Sequence, residues 1–491
     1  MDAVAHYERG LAKAEARDPK GALQDFNQAL RLDKNFAAAY YSRGQVRLVL
    51  GDHKAALEDW SQAIRANPRY GDAYFSRGSL RLTLGNFQAA VEDFTQVLWL
   101  NPKDARSCMS RGLAYRHLEN PQLALADLTQ AITLSPQLAE AYRHRATLYR
   151  HLNNYPAAFT DYTQALSINP NDAEAYQGRS QLRQQQGDLR GSLQDCNYAL
   201  RLDSDNPNLY CHRARLRLEV GDQEGAIGDY TQALRLNPKL ITAYSERGLA
   251  YGETSEWSKA IADQSQALRL DPKFALAYHR RGLIHYRQAN IGAALDDWER
   301  ALRLDPTLAE AYNHRGVAYA KMEELDRALR DYQQAIKLKP DYAEAYNNRG
   351  LAYARQGNIN AALQDYQQAL THNPQYAEAH YNLGNIYVDV GNPRAAIEHY
   401  SQAIATKPDF ALAYGNRGLA LQSMGYLQQA IVDTQKATDL FLQQGLQAYY
   451  QRSQEALKKL YQLHQESAEA ATSGGNPSPT NSSGGLSFPL A

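Results

Sequence analysis

The chain has 491 residues, and Lys plus Arg and Asp plus Glu both total 53, so its net charge is zero. A nucleic-acid partner calls for a basic excess, which the chain as a whole lacks. No apolar run is long enough for a signal peptide or a membrane span, and Cys108, Cys196 and Cys211 sit at unrelated places, which predicts a reduced, cytoplasmic protein with neither a disulfide framework nor a metal site.

In chain order, the first recurring landmark is Arg9-Gly10. Arg43-Gly44, Arg77-Gly78 and Arg111-Gly112 follow at 34-residue steps. Arg145-Ala146, Arg179-Ser180 and Arg213-Ala214 keep the Arg and a small neighbour. Arg247-Gly248, Arg281-Gly282, Arg315-Gly316, Arg349-Gly350 and Arg417-Gly418 continue the series, and Leu383-Gly384 keeps only the small residue. Gly10 to Gly418 is 408 residues, or 12 steps of 34. The chain therefore reads as thirteen tandem repeats over residues 3–444, each numbered 1 to 34, with the first starting at Ala3.

Within the repeat, residue 4 is usually Tyr, residue 8 is always small and residue 11 is often Tyr. These offsets share one helical face. A Gly near residue 15, as at Gly51, Gly85, Gly187, Gly221, Gly357 and Gly391, ends that helix. A second helix carries Ala at residue 20 in twelve copies, an aromatic at residue 24 in nine and Ala at residue 27 in twelve. Pro at residue 32 stops it in ten copies, such as Pro68 and Pro238. Each repeat is expected to be a pair of antiparallel helices, with small residues letting the two backbones approach.

This pattern resembles the tetratricopeptide repeat family over roughly nine tenths of the chain. The resemblance implies an all-α fold, an α-solenoid in which antiparallel helix pairs wind into a right-handed superhelix. It also implies a concave groove walled by the first helix of each pair, with residues 2, 5, 6, 9, 12 and 13 facing it. One departure stands out: residue 7 is usually Leu in the family and is Arg in twelve of the thirteen repeats here. Residue 23 is Asp in twelve, and the one repeat with Leu383 is also the one with His399. The joint loss points to pairing within a repeat, for example Arg349 with Asp365 and Arg281 with Asp297; two independent solvated charges are the alternative. Around Ser204 to Pro207 the usual Pro is missing, and Ser180, Ser192 and Cys196 occupy packing positions, so this seam is expected to be the weakest. Residues 445–466 read as a capping helix for the open end and residues 467–491 as a disordered tail.

Function is sought in the groove. Residue 6 is polar or Gly in every copy and ends in Asn348, Asn382 and Asn416, preceded by His314 and neighboured by Asn313, Asn347 and Asn385. Solvent-facing amides one repeat apart can bond the main chain of an extended peptide, and the run looks like the asparagine ladders of some peptide-holding helical repeats. A plain solvated face is the alternative. Arg106, Arg116, His117, Arg143, His144, Arg150 and His151 fall on groove positions of repeats 4 and 5, a candidate basic patch for an acidic peptide or a carboxylate terminus. The carboxylate clamp of chaperone-binding members is not matched, because Tyr381 stands where the Lys accompanying Asn385 should be. No catalytic, cofactor or metal signature is expected. The sequence predicts a non-catalytic scaffold or adaptor for a protein or peptide partner, without membrane insertion and with no nucleic acid. An architectural subunit acting through its outer faces is the rival, and an RNA binder a weaker one. The oligomeric state is left open.

Overall fold

The computed structural model describes the backbone of residues 1–472 and the side chains of residues 1–469. It contains 27 α-helices and no strand among the described residues. The first helices begin where the repeats begin, at Ala3, Ala37, Gly71, Ala105 and onward to Ala411, and the second helices follow after one short turn. The chain is thus an α-solenoid of antiparallel helix pairs. Two compact units divide it, Met1–Ala243 and Tyr244–Ala491.

The helix boundaries follow from local chemistry. Asp18, Asp52, Asp188 and Asp222 cap second helices, each side chain accepting from a backbone N–H three residues on. Asn290, Asn358 and Asn392 do the same. The first helices end at a left-handed residue, Gly51 at φ 78° and Gly357 at φ 79°, for example. Arg17, Glu119, Asn153, Ser255, Ala289 and Glu323 take that conformation without being Gly, at a cost in backbone strain.

Packing inside a repeat is between residue 8 and residue 24. A Cβ on Gly44 would lie 2.6 Å from Trp60 Nε1, and one on Gly316 would lie 2.7 Å from Tyr332. Repeat 5 has Ala146 at that place, and its Tyr162 is instead received by Gly178 of the next repeat, where a Cβ would sit 2.3 Å away. Gly178 is therefore a packing residue and not an open groove position. Ala22, Phe26, Ala56, Trp60, Ala294 and Trp298 are fully buried.

All twelve Arg–Asp pairs form. Each is a two-pronged contact through Nε and Nη2, as in Arg349 to Asp365 at 2.8 and 2.7 Å. In several repeats the third nitrogen reaches the second helix of the preceding repeat. Arg77 Nη1 donates to Ser61 Oγ at 3.0 Å and Arg213 Nη1 to Asn197 Oδ1 at 2.7 Å. The Arg thus joins two helices of its own repeat and one repeat to the next.

The seam at repeats 6 and 7 is filled by polar groups. Ser180 Oγ lies 2.9 Å from both Ser192 Oγ and His212 Nε2, and all three residues are buried. At the other end, the last helix runs Gln447–Thr472, six residues beyond the segment expected to cap the array. The extension follows from Ser467-Ala468-Glu469-Ala470-Ala471, rich in strong helix formers. The rest of the expected tail, residues 473–491, lies outside the described residues.

Candidate functional site

Residues 5 and 6 do not simply face the groove. At several repeat boundaries, residue 6 of one repeat meets residue 5 of the repeat before it, 35 positions earlier. Tyr7 Oη lies 3.4 Å from Ser42 Oγ, and Arg280 Nη1 donates to Ser245 Oγ at 2.9 Å. The asparagines obey the same rule. Asn348 Nδ2 donates to Asn313 Oδ1 at 3.1 Å, and Asn382 Nδ2 to Asn347 Oδ1 at 3.0 Å. Asn416 Nδ2 donates to Tyr381 Oη at 3.0 Å and to Asn385 Oδ1 at 2.9 Å.

This corrects the expectation of solvent-facing amides. Asn313, Asn347, Asn382 and Asn416 are buried; Asn313, Asn382 and Asn416 donate to neighbouring repeats and Asn347 to the adjacent Asn348, while Asn348 and Asn385 are half-buried. Asn313 also donates to Glu344 at 3.0 Å, and Asn385 accepts from Tyr400 Oη at 2.7 Å. His314 stacks on His279, with ring centroids 5.3 Å apart, and burial lowers its pKa. These groups fasten repeat to repeat. The sequence held a signal for this, polar partners at a spacing of one period plus one, as in Asn313/Asn348 and Asn347/Asn382.

The basic residues behave differently. The first helices of repeats 4 and 5, Ala105–His117 and Ala139–His151, end side by side, and their last turns carry Arg116, His117, Arg150 and His151. Cations are favoured at these C-termini by the helix dipole. Arg116, His117, Glu119, Thr147, Leu148 and His151 line a cleft of about 550 Å³. His117 is further held by stacking on Phe87, at 4.5 Å.

The charged groups lining the cleft are the Arg116 guanidinium and the Glu119 carboxylate. Burial and the neighbouring Arg143 and Arg116 push His144 down to about 3, so it is neutral. His117 and His151 are also lowered, first by burial and then by Arg116 and Arg150. Arg143 is neutralised by Asp172, at 2.9 Å, and by Glu174. Arg116 and Arg150 have no carboxylate partner among the described residues, and Arg150 Nε is buried without a hydrogen bond. Arg106 is not part of the cleft: it lies exposed in the first turn of its helix, ten residues and so about 15 Å from Arg116.

No group of three or more His, Cys, Asp or Glu that could hold a metal is found among the described residues. No described helix is long and apolar enough to cross a membrane.

Models of the tetratricopeptide repeat match residues 7–70, 43–105, 75–139, 139–172, 343–376 and 377–410. A further TPR repeat model matches residues 214–255, 290–323 and 322–357. The chain belongs to the tetratricopeptide repeat family. The helix starts and the model boundaries agree: both place repeats at 139, 343 and 377. This tetratricopeptide repeat protein is therefore of a kind that generally serves as a protein-interaction scaffold. Among solved structures, it is similar to the anaphase-promoting complex Cut9–Hcn1 hetero-tetramer, at 16% identity, with 91% of this chain and 96% of that chain covered and a TM-score of 0.45. It is similar to yeast Tom70 at 18% identity, covering 91% of this chain and 99% of that one with a TM-score of 0.43. MamA is 29% identical over 34% of this chain and 96% of its own, with a TM-score of 0.30. No curated protein is significantly similar to the chain.

Proposed function

We propose that this protein is a non-catalytic scaffold that holds an extended, acidic segment of a protein partner along its first helices, anchored in the basic cleft of repeats 4 and 5. The reading rests on Arg116, a guanidinium that lines the cleft and forms no ion pair with Glu119, the carboxylate that lines it too. A partner carboxylate would supply the missing charge, and Leu148 and Leu152 would pack its aliphatic stem. The buried asparagines of repeats 10 to 13 keep the wall in register and do not read the peptide.

An array of Asp- and Glu-rich peptides, with a Lys- and Arg-rich array beside it, tests this. The acidic set should bind the full chain, and Arg116→Ala with Arg150→Ala should weaken that binding roughly tenfold or more, a charge-assisted bond being worth about 1.5–3 kcal/mol. Equal binding by the double variant would remove the cleft from the reading. The second reading, an architectural subunit, is favoured by Trp99, 71% exposed on the second helix Phe87–Leu100. There, Trp99→Ala and not the cleft variant would release the partner.

A further inference from the structure

Repeat 12 lacks the Arg–Asp pair and has something else in its place. Leu383 replaces the Arg and is 1% exposed, packed among Tyr366 and Ile386. His399 replaces the Asp, and His380 stands where most repeats have Tyr. The two imidazoles turn to each other, with their Nδ1 atoms 3.2 Å apart. His399 is held by stacking on Tyr387, with centroids 5.3 Å apart and planes within 3°.

The tautomers follow from the surroundings. His380 Nε2 lies 3.2 Å from the carbonyl oxygen of Pro374. A carbonyl only accepts, so Nε2 carries the hydrogen and Nδ1 of His380 presents a lone pair. The hydrogen between the rings belongs to His399 Nδ1.

We propose that His380 and His399 form a two-histidine site for a zinc-class divalent ion, with water in the remaining positions. Two imidazole nitrogens at 2.0–2.1 Å from a tetrahedral ion stand about 3.3 Å apart, which is the spacing found here. The Pro374 carbonyl plays the part of the outer-shell acceptor that fixes a ligating His in the right tautomer. When the ion enters, His399 gives up its Nδ1 hydrogen to solvent and takes one at Nε2, so both rings stay neutral and no net proton is released. Each lone pair swings about 35° off the nitrogen–nitrogen line to reach the shared ion, a side-chain adjustment that leaves the backbone in place. Imidazole ligands select zinc, copper and nickel over magnesium and calcium. The neighbouring pair His279 and His314 does not qualify: the rings stack within 17° of parallel, so their in-plane lone pairs do not converge.

The full chain is titrated calorimetrically with zinc chloride at about pH 7.5, where imidazole is unprotonated, and with magnesium chloride as control. One saturable zinc site per chain is expected, with none for magnesium. Affinity should fall by roughly tenfold or more, a scale that loss of even an outer-shell partner reaches, in His380→Tyr. It should fall likewise in Leu383→Arg with His399→Asp, a double variant that gives repeat 12 the pair of the other twelve and so preserves the fold. His117→Gln with His151→Gln should bind zinc as the parent does. The proposal is overturned if the parent takes up no zinc, if the two repeat 12 variants bind as the parent does, or if zinc is lost only with the cleft histidines.

Discussion

Arg281 grips Asp297 with two nitrogens, Nε at 2.8 Å from Oδ2 and Nη2 at 2.7 Å from Oδ1, while Nη1 donates to Ser265 of the preceding repeat at 3.0 Å. The Arg281 side chain is 18% exposed and that of Asp297 6%. The carboxylate is thus out of water and wholly dependent on its partner. Asp297→Ala should lower stability by about 3 kcal/mol, near the low end for a broken buried pair because Arg281 still reaches solvent. Replacing both partners by Leu should be less harmful than the single change, since no charge is then stranded. Urea unfolding of Arg281→Leu, Asp297→Leu and the variant carrying both measures the coupling; a cycle with no coupling energy would contradict the pairing.

Asn382 should act on stability before it acts on binding. Its amide is buried, and it donates to Asn347 Oδ1 across the repeat boundary. Asn382→Ala leaves that acceptor without its donor and should lower stability by about 1–3 kcal/mol. Asn348→Ala, at a half-buried position, should have a smaller effect. Melting temperature and binding are read on the same samples. Lost binding with an unchanged melting temperature would return Asn382 to the groove.

Acid should loosen the seam of repeats 6 and 7. Burial, with a smaller contribution from Arg215, holds His212 neutral and pushes its pKa down to about 4 from the ordinary 6.5. As the pH falls from 6.5 toward 4, the unfolded chain binds a proton that the folded one does not. Stability is therefore full above about pH 6.5 and declines through that window, by up to about 3 kcal/mol from this group. His212→Gln should flatten the decline in unfolding experiments at pH 7.5 and pH 5. Hydrogen exchange should show Ser204 to Asn208 opening early at pH 5; protection there equal to that at pH 7.5 would rule the seam out as the acid-sensitive element.

Most of the fold was legible in the residues themselves. A period of 34 with no insertion sets helix starts to the residue, because each repeat must present the same small and aromatic residues to its neighbour. The shared loss of Arg and Asp in repeat 12 revealed the pairing, because a buried charge cannot keep its place without its partner. The filling of the seam by His212 was not legible, because it needs a side chain 32 positions away.

The helix pairs and the glycine ends of the first helices follow from the strict period, and the pairing of Arg with Asp was indicated by their joint loss in repeat 12; the Asp and Asn caps and the seating of residue 8 against the residue 24 side chain came from the structure. What the polar residues on the first helices do is set by how the repeats stack. Asn382 and Arg116 look equally suited to a groove when read in sequence. Stacking brings the preceding repeat's Asn347 onto Asn382 and buries its amide, while Arg116 is left at a helix end without an ion pair. Exposure is a property of the neighbour one repeat away, and a polar side chain satisfied by that neighbour is indistinguishable, in a single chain, from one awaiting a ligand.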